Sequence, residues 1–180
     1  MKQIDPNKIK VGDVILVADT NPLTVSMQRR LGFGESSHWT HVAGSIGGLD
    51  LVEGQLPKSR VCSLQKDYVD KGCTVKVLRP AYETDGERVK VALWWATMNN
   101  LPYDLLQLLW FPLAGIVGRT LLFVKNIFNS KKRLICSELI TNGFYKQGYN
   151  LFSEPAANIL PANFDTVKFF KVIEDIWLNA

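Results

Sequence analysis

A cysteine, Cys136, stands at the start of an apolar-periodic segment that ends at Gly148. Leu139, Ile140 and Phe144 recur there at helical spacing, and Gly148 occupies the position of a glycine that follows a helix. Cys136 is therefore predicted in or just before the first turn of that helix. Unpaired backbone N–H groups and the helix dipole favour the thiolate there, which is the nucleophilic form of cysteine. A second interpretation stays open, because free cysteine also serves as a small buried apolar residue.

The chain contains two histidines, His38 and His41, which are the candidates for a base that takes the proton from this thiol. A cysteine hydrolase needs such a base, and usually a third group that orients it. His41 is the better candidate, because it lies in a predicted strand that would hold the imidazole rigidly, whereas His38 lies in the preceding loop. The pair has the spacing of a metal motif, but strand residues three apart point to opposite faces, so we expect no metal site. Considered alone, His41 would be interpreted as a hydrogen-bonded histidine at a sheet edge.

The orienting group is expected on a strand next to that of His41. Two β-rich runs, 40–46 and 49–53, are joined through adjacent glycines and predict a β-hairpin. Glu53 lies at the end of the second run, across the predicted hairpin from His41. A carboxylate at that place would hold the imidazole in one orientation. An exposed carboxylate at a strand end is the alternative interpretation.

The register of this hairpin decides whether Glu53 reaches His41. A two-residue turn at Gly47-Gly48 places the two side chains on opposite faces of the sheet, because side chains alternate along a strand. One extra residue in the loop brings them to the same face, directly opposite or diagonal. We therefore predict an odd-sized loop or a β-bulge in this hairpin. With a tight turn and no bulge, Glu53 is excluded and Asp50 or Gln55 must be considered.

The elements around these residues alternate between short strands and helices. Turn and cap residues delimit a buried strand at 13–18, a short helix after Pro22, a strand at 74–78, a capped helix from Thr84 to about Asn100, and a last β-rich run at 167–173. The segment 62–70 is ambiguous, with a short helix as one interpretation. We expect an α+β fold in which helices pack on a small antiparallel β-sheet or partial barrel, with the final strand at the sheet edge.

Length and composition are those of one globular domain. The 180 residues, 47% of them hydrophobic, suffice for one sizeable core, so we interpret 1–180 as a single domain. The net charge of +4 comes from scattered basic residues, so binding to nucleic acid is not expected. The cysteines Cys62, Cys73 and Cys136 cannot all pair within one chain and lack zinc-ligand spacing, which suits a reducing compartment. The N-terminus has no apolar h-region, so we expect no signal peptide and a cytoplasmic location by default.

Five short motifs follow one another in an order that is informative as a set. They are Gly12-Asp13-Val14-Ile15, Ser37 through Val42, Leu51-Val52-Glu53, Pro102-Tyr103-Asp104 and Ile135-Cys136-Ser137-Glu138-Leu139. Together they resemble the circularly permuted NlpC-type papain-like cysteine hydrolases of the bacterial YiiX kind, which are related to the lecithin:retinol acyltransferase-like enzymes. In those proteins the histidine and its polar partner precede the cysteine, and the order here is the same.

This resemblance implies a permuted papain-like fold and a role for each matched residue. It makes Cys136 the nucleophile, His41 the general base and acid, and Glu53 the orienting group. It also makes Tyr103 a candidate for oxyanion stabilisation or substrate binding, together with backbone N–H groups at Cys136. A partly buried tyrosine at a helix start is the alternative for Tyr103. Glu138 matches the motif too, but an acid that favours the helix dipole explains it. No cofactor and no metal are implied.

An apolar stretch at 105–124 departs from the compact family pattern and predicts an apolar helical insert around 105–127. It is long enough to cross a bilayer, and basic residues follow it. A single span would separate His41 and Glu53 from Cys136, so a span and a triad are incompatible. We favour a helical insert packed in the core. The alternative is an apolar hairpin that makes peripheral contact with a membrane surface or lines a groove for a lipid acyl chain.

The residues and the resemblance together predict a cysteine hydrolase that acts on peptide-type amide bonds through an acyl-enzyme. Bacterial cell-wall peptides are among the substrates that the resemblance implies. One alternative is a lipid acyltransferase or thioesterase that uses the same triad and contacts the acyl chain through 105–124. Another alternative is a binding module that keeps the fold without catalysis.

Overall fold

The computed structural model of the chain describes residues 3–18, 22–104 and 134–178. The described residues form the strands β1 (Val14–Ala18), β2 (His41–Gly47), β3 (Asp50–Glu53), β4 (Arg60–Ser63), β5 (Thr74–Pro80) and β6 (Phe170–Ile173). They also form the α-helices α1 (Pro22–Arg30), α2 (Asp85–Thr97), α3 (Cys136–Lys146) and α4 (Pro161–Thr166). Shorter helical turns cover Pro6–Lys8, Gly34–His38, Gln65–Val69 and Ala156–Asn158.

These six strands make one open antiparallel sheet in the order β4-β3-β2-β1-β5-β6. The predicted α+β class is confirmed, as are β1, the hairpin, and α2 with its capping box at Thr84. The last β-rich run contributes β6, which pairs with β5 at the sheet edge as expected. The ambiguous segment 62–70 divides into the end of edge strand β4 and the π-helical turn Gln65–Val69.

Alternation along the strands produces two apolar layers, one on each face of the sheet. The first lies under α2 and α3 around Trp95 and Phe144, and its strand residues are Val14, Leu16, Val42, Val52 and Leu78. The second packs against both terminal segments and the turn that follows β4, and its strand residues are Ile15, Val17, Ala43, Leu51, Cys62 and Val77. Burial of each large apolar side chain contributes about 1.5–3 kcal/mol, so these layers fix the helices on the sheet.

Trp95 of α2 fixes α3 against β2. Its indole lies against Gly44 on β2 and Gly143 on α3, where an added Cβ atom would collide with the ring. The indole N–H donates to the carbonyl of Ile140, 3.2 Å away. In so close a packing α3 has little freedom to slide along the sheet, and its first residue, Cys136, is held at a defined place.

The apolar stretch 105–124 and the insert predicted around 105–127 lie outside the described residues. The residues that flank them are described, and they are adjacent. Tyr103 forms a β-bridge with Leu134, and the N–H of Leu134 donates to the carbonyl of Pro102, 3.2 Å away. Residues 102–103 and residue 134 are therefore neighbours in the structure, although about thirty residues separate them in the chain. In the described parts of the chain, no helix combines the length and the apolar character needed to cross a membrane.

Candidate active site

The β2–β3 hairpin contains the irregularity that the site requires. Ala43 pairs with Glu53, and the register shifts at a bulge between Ser45 and Gly47. His41 lies two residues before Ala43 on β2, so its side chain leaves the same face of the sheet as that of Glu53. The prediction of a β-bulge in this hairpin is confirmed.

Glu53 is fully buried and accepts hydrogen bonds on both carboxylate oxygens. His41 Nε2 lies 2.8 Å from Oε2, and Arg60 Nε lies 2.8 Å from Oε1. The hydroxyl of Tyr68 also donates to Oε2. Burial alone would raise the pKa of Glu53, but the hydrogen bond and charge of His41, followed by the bonds from Tyr68 and Arg60, lower it from 4.5 to about 2. Glu53 is therefore ionised at neutral pH.

Arg60 and Tyr68 reach Glu53 from two further elements. β4 pairs with β3 so that Arg60 lies directly opposite Glu53. Tyr68 lies in the π-helical turn after β4, and its ring stacks on that of His41 with 5.9 Å between centroids and an interplanar angle of 29°. An edge strand and a turn thus enclose the carboxylate and one side of the imidazole.

Cys136 is the first residue of α3, as predicted, and follows the extended residue Ile135. Its backbone packs on Gly54, the residue directly after β3. A Cβ atom added at Gly54 would stand 2.9 Å from the amide nitrogen of Cys136, closer than real Cβ atoms approach. The absence of a side chain at Gly54 therefore lets the start of α3 reach the end of the hairpin.

The side chains of Cys136 and His41 form a hydrogen-bonded pair. Burial opposes protonation of His41, but the charge of the Cys136 thiolate and the hydrogen bond to it, followed by those of Glu53, raise the pKa of His41 from 6.5 to about 10. Nε2 faces Glu53, which leaves Nδ1 as the ring nitrogen available to Cys136. The site thus sets the Cys136 side chain beside an imidazole whose protonated form is favoured, with an ionised carboxylate behind that imidazole.

Tyr103 also lies at Cys136. Its N–H donates to the carbonyl of Pro57, 3.0 Å away, and its β-bridge to Leu134 ties it to the segment that leads into α3. Burial, the charge of Cys136 and a hydrogen bond to the Cys136 side chain raise the pKa of Tyr103. Tyr103 therefore keeps its proton and offers a hydrogen-bond donor beside the sulfur.

A small apolar cluster lies around Ile135 and Tyr103, and we call it the apolar wall. It consists of the buried side chains Met27, Leu31, Ile135 and Leu160, with Phe33 and Tyr103 packed against them. Ile135 directly precedes Cys136 in the chain, and Tyr103, which packs against the wall, interacts with Cys136. Helix α1, which carries Met27, thereby becomes part of the surroundings of the site.

The other candidates from the sequence take different positions. The ring of His38 bonds to the carbonyl of Glu35 in the turn Gly34–His38 and does not join the hairpin. Asp50 is exposed at the start of β3, and Gln55 accepts a bond from Arg60 at 2.9 Å. Over residues 3–18, 22–104 and 134–178, no group of three or more His, Cys, Asp or Glu side chains could hold a metal ion.

The three cysteines are free and occupy different environments. Cys62 is buried on β4, where burial, followed by the charge and a hydrogen bond of Glu53, raises its pKa and keeps the thiol protonated. Cys73 is half-buried before β5. Cys136 is the cysteine that pairs with His41.

The sequence did not point to Arg60 or Tyr68. β4 has only four residues, which is too short for its alternation to be recognised. One geometric argument could have predicted a partner for Glu53. An antiparallel strand that pairs with β3 must place one of its residues directly opposite Glu53. Tyr68 lies in a π-helical turn, a rare conformation with no short sequence signature.

No protein-family model matches this chain, and no curated protein matches it. The family resemblance of its motifs therefore stays a prediction. What the described residues provide is the juxtaposition of Cys136, His41, Glu53 and Tyr103, with Arg60 and Tyr68 behind them.

Proposed function

We propose that this chain is a cysteine hydrolase that cleaves an amide bond through a covalent acyl-enzyme. The observation that carries the proposal is the hydrogen-bonded series from Cys136 through His41 to Glu53. It has the composition of a nucleophile, a base, and a group that orients the base. The resemblance of the motifs to permuted NlpC-type hydrolases favours the same chemistry.

In the acylation step, the thiolate of Cys136 attacks the carbonyl carbon and forms a C–S bond. The hydroxyl of Tyr103 and the N–H groups of the first turn of α3, which have no acceptor within the helix, stabilise the oxyanion. His41 then gives its Nδ1 proton to the leaving amine as the C–N bond breaks. This step leaves a thioester on Cys136 and a neutral imidazole.

In the deacylation step, neutral His41 accepts a proton from water through Nδ1. The resulting hydroxide attacks the thioester carbonyl, and the C–S bond breaks. A carboxylic acid leaves, and the thiolate of Cys136 is restored beside the imidazolium. Glu53 accepts the Nε2–H bond throughout and keeps the ring in one orientation.

Peptide-type amides, including bacterial cell-wall peptides, are the substrate class that we propose on the basis of the resemblance. A second candidate is hydrolysis or transfer of a lipid acyl group by the same residues. It is favoured by the place where the apolar stretch 105–124 joins the described structure. Its flanking residues Tyr103 and Leu134 are bridged to each other, and Tyr103 contacts Cys136.

Intact-mass spectrometry of the protein after exposure to candidate acyl donors tests both proposals. The donors are small peptide amides, thioesters and phospholipid vesicles, applied to the wild type and to Cys136→Ala. We expect an acyl adduct on the wild type that is absent from the variant. Adducts from amides support the hydrolase, and adducts from phospholipid support the second candidate. A wild type that forms no adduct, and whose Cys136 reacts like an ordinary thiol, would contradict both enzymatic candidates and favour the binding-module alternative.

A further inference from the structure

Glu53 receives hydrogen bonds on both oxygens of its ionised carboxylate. Arg60 Nε–H donates to Oε1 at 2.8 Å, and a guanidinium has no acceptor. Tyr68 donates its hydroxyl proton to Oε2, because an ionised carboxylate has no proton to offer in return. His41 Nε2 completes the set at 2.8 Å from Oε2. The carboxylate is fully buried, so no water replaces any of these donors.

We propose that Arg60 and Tyr68 are positioning residues that hold Glu53 as an acceptor-only carboxylate and thereby fix neutral His41 as its Nε2–H tautomer. In that tautomer the free lone pair is on Nδ1, which faces Cys136. This inference rests on the proposed function and deepens it. It assigns a role to two residues that act on His41 through Glu53.

The deacylation step shows why the tautomer matters. Before acylation, the charges of Cys136 and His41 balance each other, and those of Glu53 and Arg60 do the same. Once His41 has given its proton away, Glu53 is still paired with Arg60. Without Arg60, the carboxylate would be a buried anion with no cation beside it, and such a group takes up a proton.

A protonated Glu53 would reverse the direction of its bond to His41. It would donate to Nε2, and the ring proton would then reside on Nδ1. That nitrogen could no longer accept a proton from water, so the thioester on Cys136 would persist. Tyr68 opposes this reversal as well, because its hydroxyl donates a stronger hydrogen bond to a charged Oε2 than to a neutral one. Burial, followed by the charge of Glu53, raises the pKa of Tyr68 and keeps its hydroxyl protonated.

The groups that face this carboxylate come from every element packed around it. They are His41 from β2, Arg60 and the protonated thiol of Cys62 from β4, and Tyr68 from the turn after β4, with Asp67 beside Arg60 and with Cys136 and Tyr103 beyond the imidazole. Arg60 also contacts Gln55 at 2.9 Å and Asp67 at 3.6 Å, which fixes the guanidinium. Its side chain is 44% exposed, so a shorter or neutral replacement leaves the core intact.

The direct test is the tautomer of His41, read from the imidazole nitrogen shifts of protein labelled with ¹⁵N-histidine. The chain has two histidines, and a His38→Gln variant assigns the signals. The Cys136→Ala background removes the thiolate, so that neutral His41 is populated and the contacts of Glu53 alone set its tautomer. We expect the Nε2–H form in this parent. Arg60→Gln and Tyr68→Phe should each increase the Nδ1–H fraction, and Arg60→Lys should restore the parent ratio.

The second readout is the rate of Cys136 alkylation by iodoacetamide as a function of pH, with Cys136 present. Removal of a cation raises the pKa of neighbouring acids. In Arg60→Gln, the rise of the alkylation rate on the acidic side of the pH profile (the acidic limb) should therefore move to higher pH by about one pH unit. Lys71→Gln is the matched control, since Lys71 lies 3.6 Å from Asp67 but makes no bond to Glu53. It should leave the limb and the tautomer unchanged.

Two results would overturn the positioning role. One is a parent whose neutral His41 carries its proton on Nδ1. The other is a pair of folded variants, Arg60→Gln and Tyr68→Phe, with the tautomer ratio and the acidic limb of the parent. Either result leaves the triad standing if Cys136 reactivity still depends on His41. Failure of that dependence would instead remove the proposed function itself.

Discussion

The Nε2 atom of His41 lies 2.8 Å from Oε2 of Glu53 because a bulge between Ser45 and Gly47 sets the register of the hairpin. A tight turn at adjacent glycines would pair Val42 with Glu53 instead and send the two side chains to opposite faces. One extra residue in β2 therefore decides whether the imidazole has a carboxylate behind it.

Replacement of Cys136 should lower the pKa of His41. The thiolate and its hydrogen bond are the main causes that raise this pKa from 6.5 to about 10. In Cys136→Ala, NMR titration of the imidazole should give a midpoint well below that of the wild type. Cys73→Ala is the control and should leave the midpoint unchanged. Identical midpoints in the wild type and Cys136→Ala would mean that the two side chains do not interact.

The same change has a consequence for stability. A raised pKa means that protonated His41 stabilises the folded wild type fully below pH 6.5, and that this stabilisation is lost as the pH rises through about 10. In Cys136→Ala the pKa of His41 is expected to be lower, so the stabilisation by protonated His41 should be lost at a lower pH than in the wild type. Urea unfolding across the alkaline range measures the difference.

Glu53→Gln should reduce both stability and thiol reactivity. His41, Arg60 and Tyr68 donate to both carboxylate oxygens, so the amide N–H₂ must face one of these donors, at a cost of about 1–3 kcal/mol in the free energy of unfolding. Alkylation of Cys136 near neutral pH should slow by about tenfold or more. Asp50→Asn, at an exposed position of the same strand, is the control. A Glu53→Gln protein with wild-type alkylation would remove Glu53 from the triad.

The pKa of Glu53 also predicts how acid affects stability. It is lowered from 4.5 to about 2, so the ionised carboxylate contributes stability above pH 4.5 that is lost as the pH falls through about 2. Glu53→Gln lacks this contribution, and its free energy of unfolding should vary less over that window than that of the wild type.

Tyr103→Phe should separate acyl transfer from simple thiol reactivity. Loss of one donor to an oxyanion lowers the rate of acyl transfer by about 10²-fold. Alkylation by iodoacetamide develops no oxyanion and should change little. Tyr145→Phe, whose hydroxyl bonds to loop carbonyls, is a control for loss of a tyrosine hydroxyl elsewhere. Equal effects of Tyr103→Phe on acylation and alkylation would contradict an oxyanion role.

Gly54→Ala should displace Cys136 from His41. The new Cβ atom would stand 2.9 Å from the amide nitrogen of Cys136, so the start of α3 must move. Alkylation of Cys136 should slow, and the pKa of His41 should fall. Gly86→Ala is the matched control, because its Cβ atom would meet only Thr84 Oγ1 at 3.7 Å. Wild-type reactivity in Gly54→Ala would show that this contact does not position the thiol.

Much of the hairpin and helix framework was predictable because local signals carry it. The capping box of Thr84 and Glu87 predicts the start of α2, and Gly148 predicts the end of the helix that starts at Cys136. The bulge in the hairpin was predictable from a chemical requirement. His41 and Glu53 must lie on the same face of the sheet, and a tight turn at Gly47-Gly48 achieves this only with one extra residue in the hairpin.

The parts that escaped prediction depend on tertiary contacts. β4 is a short edge strand whose existence depends on pairing with β3, so no local pattern revealed that Arg60 lies opposite Glu53. Contact of Cys136 with His41 depends on the close approach at Gly54, which a sequence motif does not encode. The single-domain assignment and the insert around 105–127 stay predictions.

The most direct test of the central claim is the rate of Cys136 alkylation by iodoacetamide across pH, in the wild type and in His41→Ala, with each cysteine followed by peptide mapping. We expect Cys136 to react faster than Cys62 and Cys73 near neutral pH, because a protonated imidazole beside a cysteine favours the thiolate. His41→Ala should abolish that advantage. A Cys136 that reacts no faster than Cys73, with no change in His41→Ala, would contradict the claim that Cys136 and His41 form a nucleophile and base.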